Sequence, residues 1–188
     1  MAKIVLGFEN EDKDLQKAQS DNASVIAGII QSLKSIGILE EDIQTINFNV
    51  YPMYDFIDGR QVFRGYRVEH MLQITDASIN NVGIIVDTAV KAGANRVSNI
   101  SFHLSNPRAA YREALNLAVK DSIQNAQTIA RNLQVELIKT PGKITEITNS
   151  NLGPIPFIES QMVKTTATDI LPGKQEIIAL VTSVFSTI

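Results

Sequence analysis

The sequence predicts an α+β fold, an antiparallel sheet with helices packed on one face. Three observations predict it. Several short segments alternate apolar and polar residues with a period of two. Longer segments between them repeat apolar residues every three or four positions, the spacing of a buried helical stripe. The two kinds follow one another as βαββαβ and then αββ, and the first six elements have the order of a ferredoxin-like split βαβ unit.

Residues 4–9 form a short apolar segment that reads as a strand. Asn10, Glu11 and Asp12 suit a helix start, where acidic groups complement the positive end of the helix dipole. Leu15, Ala18, Val25, Ile26, Ile29, Ile30, Leu33 and Ile36 then make one stripe, and Gly37 ends it. From 42 to 54 the chain alternates, with Ile46, Phe48 and Val50 on one side and Thr45, Asn47 and Asn49 on the other. Asp58-Gly59 marks a hairpin turn into a second alternating strand through Tyr66, Val68, His70, Leu72 and Ile74. Asp76 and Ser78 can cap a helix over about 78–92, and a strand over 99–104 follows. Asn106-Pro107 opens a long alanine-rich helix to about 134. Pro141-Gly142 precedes a strand at 143–148, and Pro172-Gly173 precedes a last strand at 176–186. The consecutive apolar residues 177–181 predict that both faces of that last strand are covered. Between these strands, 149–172 lacks a steady period and reads as a long loop or excursion.

The chain has 188 residues and no cysteine, which removes disulfides, thiolate metal sites and cysteine nucleophiles. Net charge is −3 and the 17 basic residues are scattered, so no basic stripe for nucleic acid is expected. No apolar run approaches the ~18 residues of a membrane span. The start, Met-Ala-Lys-Ile-Val-Leu-Gly, lacks the pattern of an export signal. That leaves a cytoplasmic protein or a trimmed form of an exported one.

Catalytic chemistry finds little support. His70 sits on the apolar face of a strand and is expected to be a core or half-buried histidine with one hydrogen-bond partner. His103 is expected at the surface. Their spacing fits no metal motif, and neither a nucleophile elbow nor a phosphate-binding glycine loop occurs. The expectation is therefore no enzyme, no cofactor and no metal. The hairpin end is more informative. Tyr51, Met53, Tyr54, Phe56, Ile57 and Phe63 concentrate apolar surface around a turn that ordinarily projects into water. Either this end packs on its own domain or on the loop around Phe157, or it is a contact surface for another subunit or protein.

Ordered pieces of the chain resemble one family. Gly37-Ile38, Asp42-Ile43-Gln44-Thr45, Asn47-Phe48 and Tyr51-Pro52 with Tyr54 resemble the first signature of SIMPL-domain proteins. Gly65-Tyr66-Arg67-Val68 is similar to its second strand, and Gly93-Ala94 with Val97, Ile100 and Phe102 to the segment after the second helix. Arg112, Ala114-Leu115, Ala118, Asp121, Ala126, Ala130 and Leu133 follow the family's alanine-rich helix. Gly142-Lys143-Ile144 and Ile170 with Pro172-Gly173 match its closing strands. The resemblance implies a single SIMPL domain over 1–188, from which the family's first N-terminal strand and any signal segment are absent. It implies an exported bacterial protein of the periplasm or cell surface, some members being linked to oxidative-stress defence, and it carries over no catalytic residue. Together with the hairpin, this leads to the expectation of a non-enzymatic module that forms a homo-oligomer or binds a protein partner. The rival expectation is a small-ligand module with a pocket between the sheet and the 149–172 loop, near Phe157 and Met162.

Overall fold

The computed structural model describes residues 1–76, 78–147, 155–157, 168, 170 and 172–188. The chain combines helices with strands that, among the described residues, pair antiparallel, as in the α+β class. The chain forms two compact units that interleave in sequence: 1–105 with 162–172, and 106–161 with 173–188.

The first unit holds β1 (Ala2–Asp12), α1 (Leu15–Ser35), β2 (Ile43–Ile57), β3 (Arg60–Asp76), α2 (Val82–Lys91) and β4 (Arg96–Phe102). Its sheet has the order β2-β3-β1-β4. Ala2, Ile4 and Leu6 of β1 and Leu72 and Ile74 of β3 alternate onto one buried face. Ile26, Ile29 and Leu33 of α1 and Val82, Ile85 and Ala89 of α2 pack into the same core, so both helices cover that face. Each fully buried Leu or Ile there contributes roughly 2–3 kcal/mol of apolar burial. The opposite face carries charge: Arg67 pairs with Glu9 at 3.5 Å and Glu11 at 2.6 Å, and Arg96 lies 3.8 Å from Glu69.

Several boundaries differ from expectation. Asn10, Glu11 and Asp12 do not open α1; they lie opposite Val68, Arg67 and Tyr66 in β1. The ladder to β3 captures them, and Asp14 becomes the cap, its carboxylate accepting from the Lys17 amide at 3.0 Å. Gly37, at φ 96°, follows the helix end as expected. Ser78 makes no side-chain cap. Asp76 instead accepts from the Ser78 amide at 2.7 Å and organises a 3₁₀ turn, Ile79–Asn81, ahead of α2. In β2 a bulge falls between Thr45 and Asn47. It breaks the expected alternation, so Ile46 is 46% exposed and Thr45 shares a face with Phe48 and His70.

The second unit is a helix with β ribbons. Asn106 caps α3 (Pro107–Leu133) by accepting from the Ala109 amide at 2.9 Å. β5 (Lys143–Ile147) pairs with β8 (Leu180–Val184), and β6 (Ile155–Phe157) with β7 (Lys174–Glu176). The single last strand expected over 176–186 is thus two short ones. Tyr111 of α3 donates to Glu146 at 2.6 Å, and Ser183 donates to Ser122 of α3 at 3.0 Å. That ribbon face lies on the helix. Leu180, Val184 and Ile147 point the other way and remain exposed, so the expectation of two covered faces fails. Among this unit's described residues only Ala130 is buried. Most of the 149–172 stretch, with Met162, lies outside the described residues. Within the part described, Thr168 donates to Asp87 of α2 through its amide and hydroxyl, and Ile170 packs against the first unit's core.

Candidate functional site

The hairpin of β2 and β3 outruns the sheet. β1 accompanies β3 only as far as Tyr66, opposite Asp12. Beyond that point the pairs Met53–Gly65, Tyr54–Phe63, Asp55–Val62, Phe56–Gln61 and Ile57–Arg60 have no third strand beside them among the described residues. Asp58 and Gly59 turn the chain with φ of 52° and 75°, the two positive angles a tight hairpin turn requires. Gly65 is needed where the ribbon leaves the sheet, because a Cβ there would stand 2.8 Å from the Asp12 carbonyl oxygen.

Aromatic rings run along this end. Tyr54 and Phe63 meet edge to face at 5.8 Å, and Phe63 meets Tyr66 at 5.1 Å. The rest is uncovered: Phe56 is 73% exposed and Tyr51 47%, with Tyr54, Ile57, Val62 and Phe63 also exposed and Met53 half-buried. Arg64 flanks the patch, paired with Glu11 and 3.7 Å from Asp55. The hydrogen bond from Arg67, with Arg64 beside it, holds the Glu11 carboxyl below its usual range. Phe157 falls in β6 opposite Lys174.

The histidines stand apart. His70 lies opposite Phe8, half-buried, its Nε2 3.0 Å from the Thr45 hydroxyl and its ring edge-on to Phe48. Burial lowers its pKa. His103 is exposed, its amide bonded to the Met1 carbonyl and its Nε2 3.0 Å from Ser101. Met1 and Phe8 lie seven residues apart along one strand, roughly 20 Å, so the two rings share no site. Among the described residues no group of three or more His, Asp or Glu side chains could hold a metal ion. No described helix is long and apolar enough to cross a membrane.

Two features escaped the sequence reading. Asn22 of α1 is fully buried, its amide donating to Phe8 O, Asn10 Oδ1 and Val68 O at 2.9–3.2 Å. Its place in the stripe Ala18, Asn22, Ile26, Ile29, Leu33 was the available signal. In the second unit an open depression of about 560 Å³ lies between α3 and 176–179, rimmed by Lys120, Asp121, Gln124 and Glu176.

The fold and its surfaces define an α+β protein with an uncovered apolar hairpin and a charge-paired sheet face. The chain belongs to the SIMPL family, whose model, described as a protein of unknown function (DUF541), matches residues 1–185. It is 29% identical over 162 residues to the 26 kDa periplasmic immunogenic protein of Brucella melitensis, covering 84% of this chain and 63% of that protein. It is 27% identical over 170 residues to the uncharacterised protein YggE of Escherichia coli K12, covering 90% and 68%. The chain thus spans a little under two thirds of the length of the Brucella relative. Neither name assigns a reaction.

Proposed function

We propose that this chain is a non-catalytic, self-associating module that works outside the cytoplasm, in the bacterial cell envelope. The observation that carries the reading is the hairpin end. Tyr51, Met53, Tyr54, Phe56, Ile57 and Phe63 gather on a ribbon that outruns its sheet, with Phe56 73% exposed. Water contact with that much clustered apolar surface is costly, and subunit contact removes it. Phe157, which falls in the second unit, is proposed as a further contact residue. The periplasmic relative supports the location, and a part in oxidative-stress defence belongs to the proposal on the family resemblance alone. Light scattering after gel filtration tests the reading. The chain is expected to exceed monomer mass at high micromolar concentration, and Phe56→Ser with Ile57→Ser to weaken association about tenfold or more. A monomer at every concentration overturns it.

The open depression beside α3 favours a second reading, a small-molecule site. It lies within the second unit, and Ile177 and Ile178 give it apolar lining. A thermal-shift screen against a metabolite panel tests it, and no shift across the panel removes it.

A further inference from the structure

We propose that β8 pairs edge to edge with β8 of a second copy, joining two β5–β8 ribbons into one four-stranded antiparallel sheet. The proposal rests on the self-association reading and adds to it a separate contact, on the second unit.

Among the described residues β8 is hydrogen-bonded along one edge only, to β5. The other edge is unguarded. Residues 177–188 read Ile-Ile-Ala-Leu-Val-Thr-Ser-Val-Phe-Ser-Thr-Ile, without a charge, a proline or a glycine. Soluble proteins protect free sheet edges with charges, prolines or bulges. The edges of the four-stranded sheet follow that rule: β2 carries Pro52 and two register shifts, and β4 begins with Arg96. A bare edge in a chain whose four-stranded sheet has guarded edges is open to pairing.

The residue pattern identifies the partner. Read about Thr182, the strand Leu180-Val181-Thr182-Ser183-Val184 is nearly its own reverse. A two-fold axis there sets Leu180 opposite Val184 of the second copy, Val181 opposite Ser183, and Thr182 opposite its own counterpart. Aliphatic pairs and threonine pairs are favourable cross-strand neighbours in antiparallel sheets. β5 lacks this property, because the same operation sets Lys143 against Ile147. The described part of the second unit also buries little of its own. Ala130 is its only buried described residue, while Val184 is 55% exposed and Leu180 and Ile147 are also uncovered. Pairing across the axis sets Leu180 against Val184 of the second copy and removes part of that exposed apolar surface.

Thr182 is exposed, so a charge there is tolerable in the isolated chain but repels its own copy across the axis. The test makes Thr182→Lys and Thr182→Glu in the full chain, checks that each keeps the wild-type circular dichroism spectrum, and measures mass by light scattering. Each variant alone is expected to fall to about half the wild-type mass, and an equimolar mixture to regain it. Retention of wild-type mass by both variants overturns the β8 contact. So does loss in both without recovery on mixing, since Thr182 then does not face itself. If mass is retained here yet falls with Phe56→Ser and Ile57→Ser, the hairpin reading stands alone. A monomeric wild type removes both.

Discussion

At Gly7 the space for one methyl group is missing. A Cβ there would lie 2.1 Å from the His70 carbonyl oxygen and 2.8 Å from the Met71 sulfur. The backbone contact cannot relax without separating β1 from β3, so Gly7→Ala is expected to cost about 2–4 kcal/mol in urea unfolding. Gly28, inside α1 with nothing within 4 Å of its added Cβ, is the control: Gly28→Ala should gain up to about 1 kcal/mol. A neutral Gly7 variant refutes the close approach. His70 supplies the pH dependence at this scale. Burial lowers its folded-state pKa below the unfolded value, so the unfolded chain takes up the proton first. Its contribution is therefore unfavourable in acid and vanishes as pH rises through about 6.5. Stability should climb over the last pH unit or so below 6.5, and His70→Gln should flatten that climb. An NMR titration of the ring with a midpoint at or above 6.5 contradicts it.

Asn22 shows how one polar side chain ties elements together. Its amide faces three acceptors drawn from β1 and β3, while its own Oδ1 is buried without a partner. Asn22→Asp replaces the donors by a carboxylate facing oxygens, and about 3–5 kcal/mol of destabilisation at neutral pH is expected. The buried Asp should have a raised pKa, so the variant recovers part of the loss on mild acidification. Equal losses at pH 5 and pH 8 argue against this account. The helical stripes of α1 and α2 were legible because residues such as Ile26, Ile29, Ile85 and Ala89 recur at the helical period. The Asp58-Gly59 turn was legible because few residues accept two successive positive φ angles. The bulge at Ile46 was not, since an inserted residue leaves the local composition unchanged and only the partner strand reveals the shifted phase. The run at 177–181 misled for a related reason: apolar content alone does not tell a covered strand face from one awaiting a partner. The hairpin patch was legible as a cluster, whereas its exposure depended on where β1 stops.

At the scale of the whole chain, the segments of the two units alternate along the sequence. Residues 162–172 return to the first unit after β5 and β6 have been laid down in the second. Ile170 lies against the core of the first unit, and Thr168 is bonded to Asp87. The Thr168 hydroxyl and amide together hold the Asp87 carboxyl below its usual range. Ile170→Ala is expected to cost about 1–2 kcal/mol. Amide exchange should quicken in β1 and β3 and stay unchanged in β5 and β8, although Ile170 is nearer to the latter pair in sequence. Quickening confined to β5 and β8 would place that segment elsewhere.

The interleaving also bears on inheritance. A module laid out as one uninterrupted stretch can be swapped between genes by a single recombination at each end. Here a crossover within 106–161 or 162–172 gives a hybrid in which at least one unit is assembled from two parents. Sequence drift in one half of a unit is then tolerated only with matching drift in its distant half, and the two units descend as one heritable block.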